Sequence, residues 1–149
     1  FTPPEPEEQD WTVEKLADEA ASDAVLVDLD QDGEKELILI SPFHGEHIYF
    51  YKKIDGDYKK VYTYDTADFA HAIYGGTLLG KPAVIIGHRK GERNLLLFTW
   101  EQEKGQYQVE ILDRDCGPAN VFKYERGTEE VLISTNREID EVAMYTFEK

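Results

Sequence analysis

A run of closely spaced carboxylates is the first feature of this sequence that could do chemistry. Residues 28–36 read Asp-Leu-Asp-Gln-Asp-Gly-Glu-Lys-Glu, with acidic side chains at the first, third, fifth and ninth positions and glycine at the sixth. Calcium takes about six to eight oxygen ligands, and a tight loop with carboxylates at alternate positions can supply them. The run therefore predicts a structural calcium site whose ligands are Asp28, Asp30, Asp32, Glu36 and the backbone carbonyl of Glu34.

Two other interpretations of the acidic run give different expectations. An EF-hand loop requires a bidentate glutamate at its last position. That position is occupied here by Leu39, inside an apolar run, which excludes the EF-hand. A solvated acidic hairpin without metal stays open as an alternative. Because four carboxylates this close repel one another unless a cation lies between them, the sequence favours the metal.

A second set of reactive side chains consists of histidines and arginines spread over the chain. Imidazoles from different segments could ligate a second divalent metal such as Zn²⁺, or one of them could act as a general base. Arg89 and Arg137 could hold an anionic or polyhydroxyl ligand. The alternative is structural, with histidines that shape loops and arginines that pair with Glu92, Glu138 or Asp140. The histidines of the chain are His44, His47, His71 and His88.

The elements that must position these side chains follow an internal repeat. Apolar blocks at residues 37–40, 84–87 and 131–134 begin 47 residues apart. A glycine before each block suits a tight turn with positive φ. A second apolar run follows each block, aromatic-headed amphipathic segments begin at Trp11, Tyr58 and Tyr107, and a further short segment precedes each glycine. The repeat therefore predicts four short strands. The glycines recur at the same offset as the blocks, at Gly33, Gly80 and Gly127.

The middle strands of each repeat are apolar without alternation, which indicates burial on both faces. Sheets stacked radially on their neighbours provide such burial, as the blades of a β-propeller do. We therefore expect an all-β fold of three four-stranded antiparallel propeller blades of about 47 residues. Closed propellers usually have about four to eight blades. The three blades are therefore expected to belong to a larger propeller, completed by further blades of the same parent chain or another copy, with a small independent three-sheet fold as the alternative.

The expected boundaries follow from this repeat. Residues 1–10 are rich in proline and glutamate and predict a mobile N-terminus, before a propeller segment at residues 11–149. That segment comprises an outermost strand at 11–16 and repeats at about 24–64, 71–112 and 118–147.

The two sets of reactive side chains are expected on opposite faces of the propeller. The acidic loop joins the first and second strands of its repeat, on one face. The loops between second and third strands, and the starts of the first strands, lie on the other face, which we call the opposite rim. The opposite rim consists of residues 41–47, 87–93 and 135–140 with Asp23, His71 and Asn120.

The acidic run resembles a known repeat. Asp-x-Asp-x-Asp-Gly-x-x-Glu-Leu-Ile-Leu, within a repeat of this length, is similar to the FG-GAP and VCBS-type propeller repeats found in integrin α-subunit heads and many bacterial proteins. Glu36 stands where that family usually has aspartate, and the second and third repeats match it by strand pattern alone. The resemblance implies a calcium-loaded hairpin in a propeller blade.

Segments of the opposite rim resemble a second family. His-Ala-Ile-Tyr-Gly-Gly, Gly-His-Arg-Lys-Gly, Gly-Pro-Ala-Asn-Val and Asn-Arg-Glu-Ile-Asp-Glu-Val are similar to segments of the propeller of aldos-2-ulose dehydratase-like proteins, lyases that remove water from keto-sugars. This resemblance implies a metal-assisted dehydration. It implies that His44, His71 and His88 are metal or base candidates and that Asn120, Arg89 and Arg137 orient substrate.

Charge and composition argue against several partners. The chain carries 16 basic and 31 acidic side chains, a net charge of -15, which argues against nucleic acid or an anionic membrane as partner. No apolar stretch has the length of a membrane span. The single cysteine, Cys116, cannot form an intrachain disulfide. We therefore expect a calcium-stabilised propeller module that binds a carbohydrate or protein ligand on the opposite rim, with a metal-dependent sugar lyase as the alternative.

Overall fold

The computed structural model describes residues 13–41 and 45–148, and within them the chain forms three antiparallel β-sheets. The first sheet contains β1 (Asp23–Val27), β2 (Glu36–Ile40), β3 (Ile48–Ile54) and β4 (Asp57–Tyr64). The second contains β5 (Ala70–Leu78), β6 (Lys81–His88), β7 (Leu95–Glu101) and β8 (Gln106–Asp113). The third contains β9 (Pro118–Arg126), β10 (Glu129–Asn136) and β11 (Glu141–Glu148), with a 3-10 turn at Arg137–Ile139.

Each sheet is a meander in which strands consecutive in sequence are hydrogen-bonded neighbours. The all-β class and the antiparallel repeats predicted from the sequence are confirmed, and the first two repeats have the predicted four strands. The third sheet has three strands within the described residues. The described part of the chain contains no helix long and apolar enough to cross a membrane.

The predicted strand at residues 11–16 is not present in the part of it that the structure describes. Residues 11 and 12 lie outside the described residues, as does the predicted mobile segment 1–10, and residues 13–16 are not in a strand. Leu16 and Ala17 pack instead on the outer face of the first sheet, beside Leu39 and Tyr51. The segment therefore buries Leu16 by packing on the face of the sheet, and its backbone does not pair with an edge strand.

The three sheets pack face to face in chain order, through two apolar layers. Between the first and second sheets, Ile38 and Phe50 meet Ile86 and Phe98, all with no exposed surface. A separate cluster joins the second sheet to the third and includes Ile85, Leu97, Val121 and Leu132. Because neighbouring residues of a strand point to opposite faces, the unbroken apolar run of β6 supplies both layers.

Two glycines allow the sheets to approach closely. A Cβ atom on Gly75 would lie 2.7 Å from a methyl carbon of Val27 in the first sheet. A Cβ atom on Gly87 would overlap the ring of Pro118 in the third sheet. Both contacts are closer than real side chains tolerate. The backbone of β5 at Gly75 and that of β6 at Gly87 therefore pack directly against side chains of the neighbouring sheets.

The third repeat departs from the 47-residue register. In the second sheet Val84 lies opposite Phe98, 14 residues later in the chain. In the third sheet Leu132 lies opposite Tyr145, 13 residues later. Val84 packs in the layer against the preceding sheet, and so does Leu132. Leu132 is therefore the structural counterpart of Val84, one residue beyond the 47-residue offset that links the apolar blocks. A shift of one residue moves every side chain of a strand to the other face, so sequence spacing alone misassigns the faces of β10.

The outer face of the first sheet is covered by other residues of the chain, whereas the outer face of the third sheet is exposed. The outer face of the first sheet carries Leu37 and Leu39, which are buried under residues of the N-terminal segment and neighbouring tyrosines. The outer face of the third sheet exposes 63% of Phe122, 71% of Val142 and 55% of Met144. The equivalent faces of the first two sheets are each covered by the next sheet of the chain.

Candidate metal centre

The loop between β1 and β2 gathers three carboxylates at the edge of the first interface. One ligand atom from each of Asp28, Asp30 and Glu36 lies within 4.8 Å of the other two. This is the one group of three or more potential metal-binding side chains in the described part of the chain. The three come from a stretch of nine residues, because the tight hairpin returns the chain to the point where it left β1.

The loop holds its shape through hydrogen bonds from backbone N–H groups to aspartate side chains. Gly33, with a φ of 97°, donates its N–H to Asp28 Oδ2 at 3.1 Å. The N–H of Asp32 bonds to Asp30 Oδ1 at 3.3 Å, and that of Glu34 to Asp32 Oδ1 at 2.9 Å. A left-handed φ such as that of Gly33 is readily available to glycine, and it allows the aspartates to face the inside of the turn.

Glu36 is the buried member of the group. Its side chain has no exposed surface, and its Oε2 accepts a hydrogen bond from the N–H of Leu29 at 2.8 Å. Its Oε1 and the Oδ1 of Asp28 are buried without a hydrogen-bond partner among the described residues. Burial raises the pKa of Glu36 to about 7. Unsatisfied buried oxygens are unfavourable, so this corner of the structure can accept a further donor or a cation.

A lysine from the neighbouring strand reaches into the same group. Lys52 of β3 forms an ion pair with Asp30, and its Nζ lies 2.6 Å from Asp32 Oδ2 and 3.9 Å from Glu36 Oε1. Burial opposes the charge of Lys52, but its hydrogen bonds to Asp30 and Asp32 outweigh that effect and raise its pKa. Lys52 is not among the residues predicted for this site from the sequence. The alternation of β3 could have indicated it, because Lys52 lies two residues after buried Phe50 and therefore on the same face of the strand.

The second sheet also contributes to the surroundings of the acidic loop. The hydroxyl of Tyr107 on β8 is buried, and no described residue forms a hydrogen bond with it. Burial and, after it, the charge of Glu36 raise the pKa of Tyr107. A cleft of about 560 Å³, lined in part by Asp30, Pro82 and Trp100, opens beside the loop. The carboxylate group is therefore next to a route from solvent.

Among the five predicted calcium ligands, the structure brings together Asp28, Asp30 and Glu36. Asp32 is close to this group because Lys52 donates hydrogen bonds to both Asp30 and Asp32. For Glu34 the described contact is that of its N–H with Asp32.

On the opposite rim, His88 is used within its own loop. Its Nδ1 lies 2.9 Å from the carbonyl oxygen of Lys90, and its Nε2 accepts the N–H of Asn94 at 3.1 Å. A carbonyl can only accept, so Nδ1 carries the proton and the ring is neutral. Burial lowers the pKa of His88, which is 1% exposed. These contacts agree with the loop-shaping alternative and leave neither nitrogen for a metal.

The other rim histidines have separate surroundings. His71 Nδ1 lies 2.8 Å from the carbonyl oxygen of Ala119, across the second interface. His47 Nδ1 lies 3.1 Å from Asp65 Oδ1, and His44 is outside the described residues. No described histidine belongs to a group of three potential metal-binding side chains. The side-chain oxygen of Asn120, the predicted substrate contact, accepts the N–H of the next residue at 2.8 Å.

Two of the rim arginines, Arg89 and Arg93, are paired with carboxylates. Arg89 is 8% exposed and donates from Nε and Nη2 to Glu138 Oε1 at 2.9 and 2.6 Å. Its guanidinium also lies 4.8 Å from the ring centre of Phe69. Arg93 pairs with Asp115. The ion-pair alternative is thus confirmed for Arg89, whereas Arg137 is exposed at the 3-10 turn.

A second buried carboxylate, which the sequence analysis did not consider, lies at the second interface. Glu130 of β10 is 1% exposed, and its Oε2 accepts the N–H of Leu79 at 3.0 Å. Lys123 Nζ lies 2.9 Å from the same oxygen, and the Lys123 side chain is 6% exposed. The enclosed ammonium group of Lys123 therefore neutralises this acid within the fold.

Comparison with known proteins gives no assignment. No protein-family model matches the chain, and no similar protein is found among curated sequences. The two family resemblances therefore rest on the quoted residues alone.

Proposed function

We propose that this chain is a calcium-stabilised module of β-propeller type, and that its first hairpin binds calcium between Asp28, Asp30 and Glu36. The observation that carries the proposal is the pair of buried oxygens without a hydrogen-bond partner, Asp28 Oδ1 and Glu36 Oε1, in a group whose ligand atoms lie within 4.8 Å of one another. Loop carboxylates are often solvated without a metal, but these two oxygens are shielded from water.

Charge supports a divalent cation at this place. The ammonium group of Lys52 lies within 4 Å of three carboxylates, those of Asp30, Asp32 and Glu36, and Asp28 adds a fourth carboxylate beside Asp30 and Glu36. Confining this excess negative charge near buried surface is unfavourable. The donor atoms are all oxygens, which suit a hard cation such as calcium better than zinc. Asp32 and the carbonyl of Glu34 would complete the ligand set that the sequence predicts.

The position of the group supports a structural role for the metal. Glu36 bonds to the backbone of Leu29, and Leu29 belongs to the apolar layer between the first two sheets. A cation held by Glu36 and the aspartates would therefore fix the hairpin against that layer. When bound, it would neutralise carboxylates that otherwise repel one another, and the folded state would gain the free energy of binding.

The packing of the sheets supports the propeller part of the proposal. Consecutive meanders stack face to face, and the face of the third sheet that carries Phe122 and Met144 is the one that packs on a following sheet in both preceding cases. The predicted further blades, from the same parent chain or another copy, stay a prediction.

The opposite rim receives less support. A carbohydrate or protein ligand at that rim stays a prediction, because the contacts of its loops identify no substrate class. The sugar-lyase alternative, with Zn²⁺ at the rim, requires His88 as a metal or base candidate and Arg89 as a substrate contact. His88 is hydrogen-bonded through both nitrogens, and Arg89 is paired with Glu138. We therefore do not propose it.

Thermal unfolding in calcium and in EDTA tests the proposal. With calcium about 100-fold above its Kd, stability should rise by about 2.7 kcal/mol, a shift of about 5–11 °C for a chain of this size. Asp30→Asn and Glu36→Gln should each abolish most of that shift. Asp55→Asn is the matched control, because Asp55 is an exposed turn residue paired only with Lys59 in the described contacts, and it should retain the shift. Equal melting temperatures in calcium and EDTA, with no heat of binding in calorimetry, would refute the proposal.

A further inference from the structure

We propose that Lys52 is a built-in counter-ion that competes with calcium for the same carboxylates, and so sets the calcium concentration at which the hairpin loads. This inference rests on the proposed calcium site and adds a residue that sets its affinity. It predicts two states of one loop: a lysine-neutralised state without metal, and a metal-bound state from which the ammonium group is released.

The competing position follows from the contacts of Lys52. Its ammonium group touches Asp30 and Asp32 and lies 3.9 Å from Glu36 Oε1. Asp30 and Glu36 are two of the three side chains that converge. Their side chains are 9% and 0% exposed, so the space between them is small and enclosed. A second cation bound to the same oxygens would lie within a few ångströms of the ammonium group, where like charges repel strongly.

The lysine side chain is able to leave. Lys52 is 23% exposed, and β3 continues beyond it to exposed Lys53 and Ile54. A lysine has a flexible stem of four carbons whose ammonium group is favourably hydrated. Calcium binding thus requires breaking the ion pairs of Lys52 with Asp30 and Asp32, and the free energy of those pairs is subtracted from the affinity. In such an equilibrium the apparent Kd is the intrinsic value divided by the fraction of molecules with the site open.

The same contacts would partly neutralise the hairpin in its metal-free state. The buried Glu36 Oε1 has the Lys52 charge nearby but no hydrogen bond to it. One ammonium group therefore reduces the repulsion among the carboxylates without satisfying every oxygen. A calcium ion has more charge and accepts more ligands, so it would replace the lysine once its concentration is high enough.

Isothermal titration of calcium into the wild type and Lys52→Met tests the inference. Methionine keeps the apolar stem and removes the charge. The Kd for calcium should fall at least about tenfold in Lys52→Met, while the melting temperature in EDTA falls because the carboxylates lose their counter-ion. Lys53→Met is the matched control: it removes an exposed lysine from the next position of β3 and should leave Kd unchanged within about twofold.

The outcomes separate this inference from the calcium site itself. If the wild type binds calcium and Lys52→Met binds it no more tightly, the competition is refuted and the site stands. If neither binds, the calcium proposal fails and this inference fails with it. A wild type that binds no calcium beside a Lys52→Met that does would support competition in its strongest form.

A measurement on the wild type covers the case in which Lys52→Met does not fold in EDTA. The NMR signal of the Lys52 side chain should move from the position of an ion-paired lysine to that of a free one during calcium titration. Its midpoint should coincide with the calorimetric Kd. A lysine signal that stays unchanged while calcium binds would overturn the inference.

Discussion

Replacement of Lys123 by methionine is expected to destabilise the chain more than other lysine substitutions. Lys123 is the enclosed partner of Glu130, at 2.9 Å, and the Glu130 side chain is 1% exposed. Its hydrogen bonds to Glu130 outweigh the opposing effect of burial and raise the pKa of Lys123. Methionine would leave the Glu130 carboxylate buried and still bonded to the N–H of Leu79, but without the ammonium group that lies 2.9 Å from its Oε2.

The magnitude follows from the burial of both partners. Removing one member of a buried ion pair costs about 3–5 kcal/mol, because the other charge is left uncompensated. For a chain of this size each kcal/mol lowers the melting temperature by about 2–4 °C. Lys123→Met should therefore melt about 6–20 °C below the wild type. Since domains are stable by about 5–15 kcal/mol, part of the population could unfold at room temperature.

Thermal and urea unfolding of three variants tests this reasoning. Lys123→Met combined with Glu130→Gln should recover more than half of the loss, because a neutral amide can still accept the N–H of Leu79 and no charge is buried. Lys60→Met removes a lysine from an exposed pair with Glu19 and should change stability little. A Lys123→Met protein that melts within about 2 °C of the wild type would refute the enclosed pair, because it implies a loss below about 1 kcal/mol.

Two further predictions concern the second sheet. Gly87→Ala should lose about 1–3 kcal/mol in urea unfolding, because the added methyl group would overlap Pro118; an unchanged midpoint would contradict the close approach of the second and third sheets. Burial lowers the pKa of His88 below the usual 6.5, so its contribution to stability is present above about pH 6.5 and is lost as the pH falls through the lowered value. Stability measured from pH 8 to 5 should therefore fall more steeply in the wild type than in His88→Gln, and parallel curves would contradict the neutral, buried ring.

Much of the sheet structure could be predicted because its signal is local. The apolar block at residues 37–40 lies within β2, the block at 84–87 within β6 and the block at 131–134 within β10. The blocks of β2 and β6 supply buried side chains to both faces of their sheets, whereas the block of β10 supplies Leu132 to the layer against the second sheet, and its other face belongs to the exposed side of the third sheet. A strand that is buried on both faces has a continuous apolar sequence, whatever the wider fold.

The predicted strand at 11–16 shows where local pattern stops being informative. An alternating segment becomes a strand only when a sheet edge is free to accept its hydrogen bonds. In the structure Leu16 lies on the outer face of the first sheet and Lys60 pairs with Glu19. Packing on a face and pairing at an edge bury the same apolar residues, and the sequence does not distinguish them.

The two predicted sites differ for the same reason. The acidic loop could be predicted because its carboxylates lie within one hairpin and the spacing fixes their proximity. The opposite rim depends on loops from different sheets, and there backbone groups decide the outcome: a carbonyl and an N–H of its own loop engage the two nitrogens of His88. Such partners have no side-chain signature, so a histidine that shapes a loop looks like a free one in the sequence.

Glu36 and Glu130 together explain why one buried carboxylate is a metal candidate and the other is not. Both lie on the faces of their strands that point to the second sheet, and both have a lysine nearby. Lys123 meets one enclosed carboxylate, that of Glu130, and its other carboxylate neighbour, Glu125, is 58% exposed and therefore solvated. Lys52 is shared between the enclosed carboxylates of Asp30 and Glu36, with further aspartates beside them. Among the described residues, the loop in the first sheet has more enclosed carboxylates than its lysine can neutralise, and a dication would correct that imbalance.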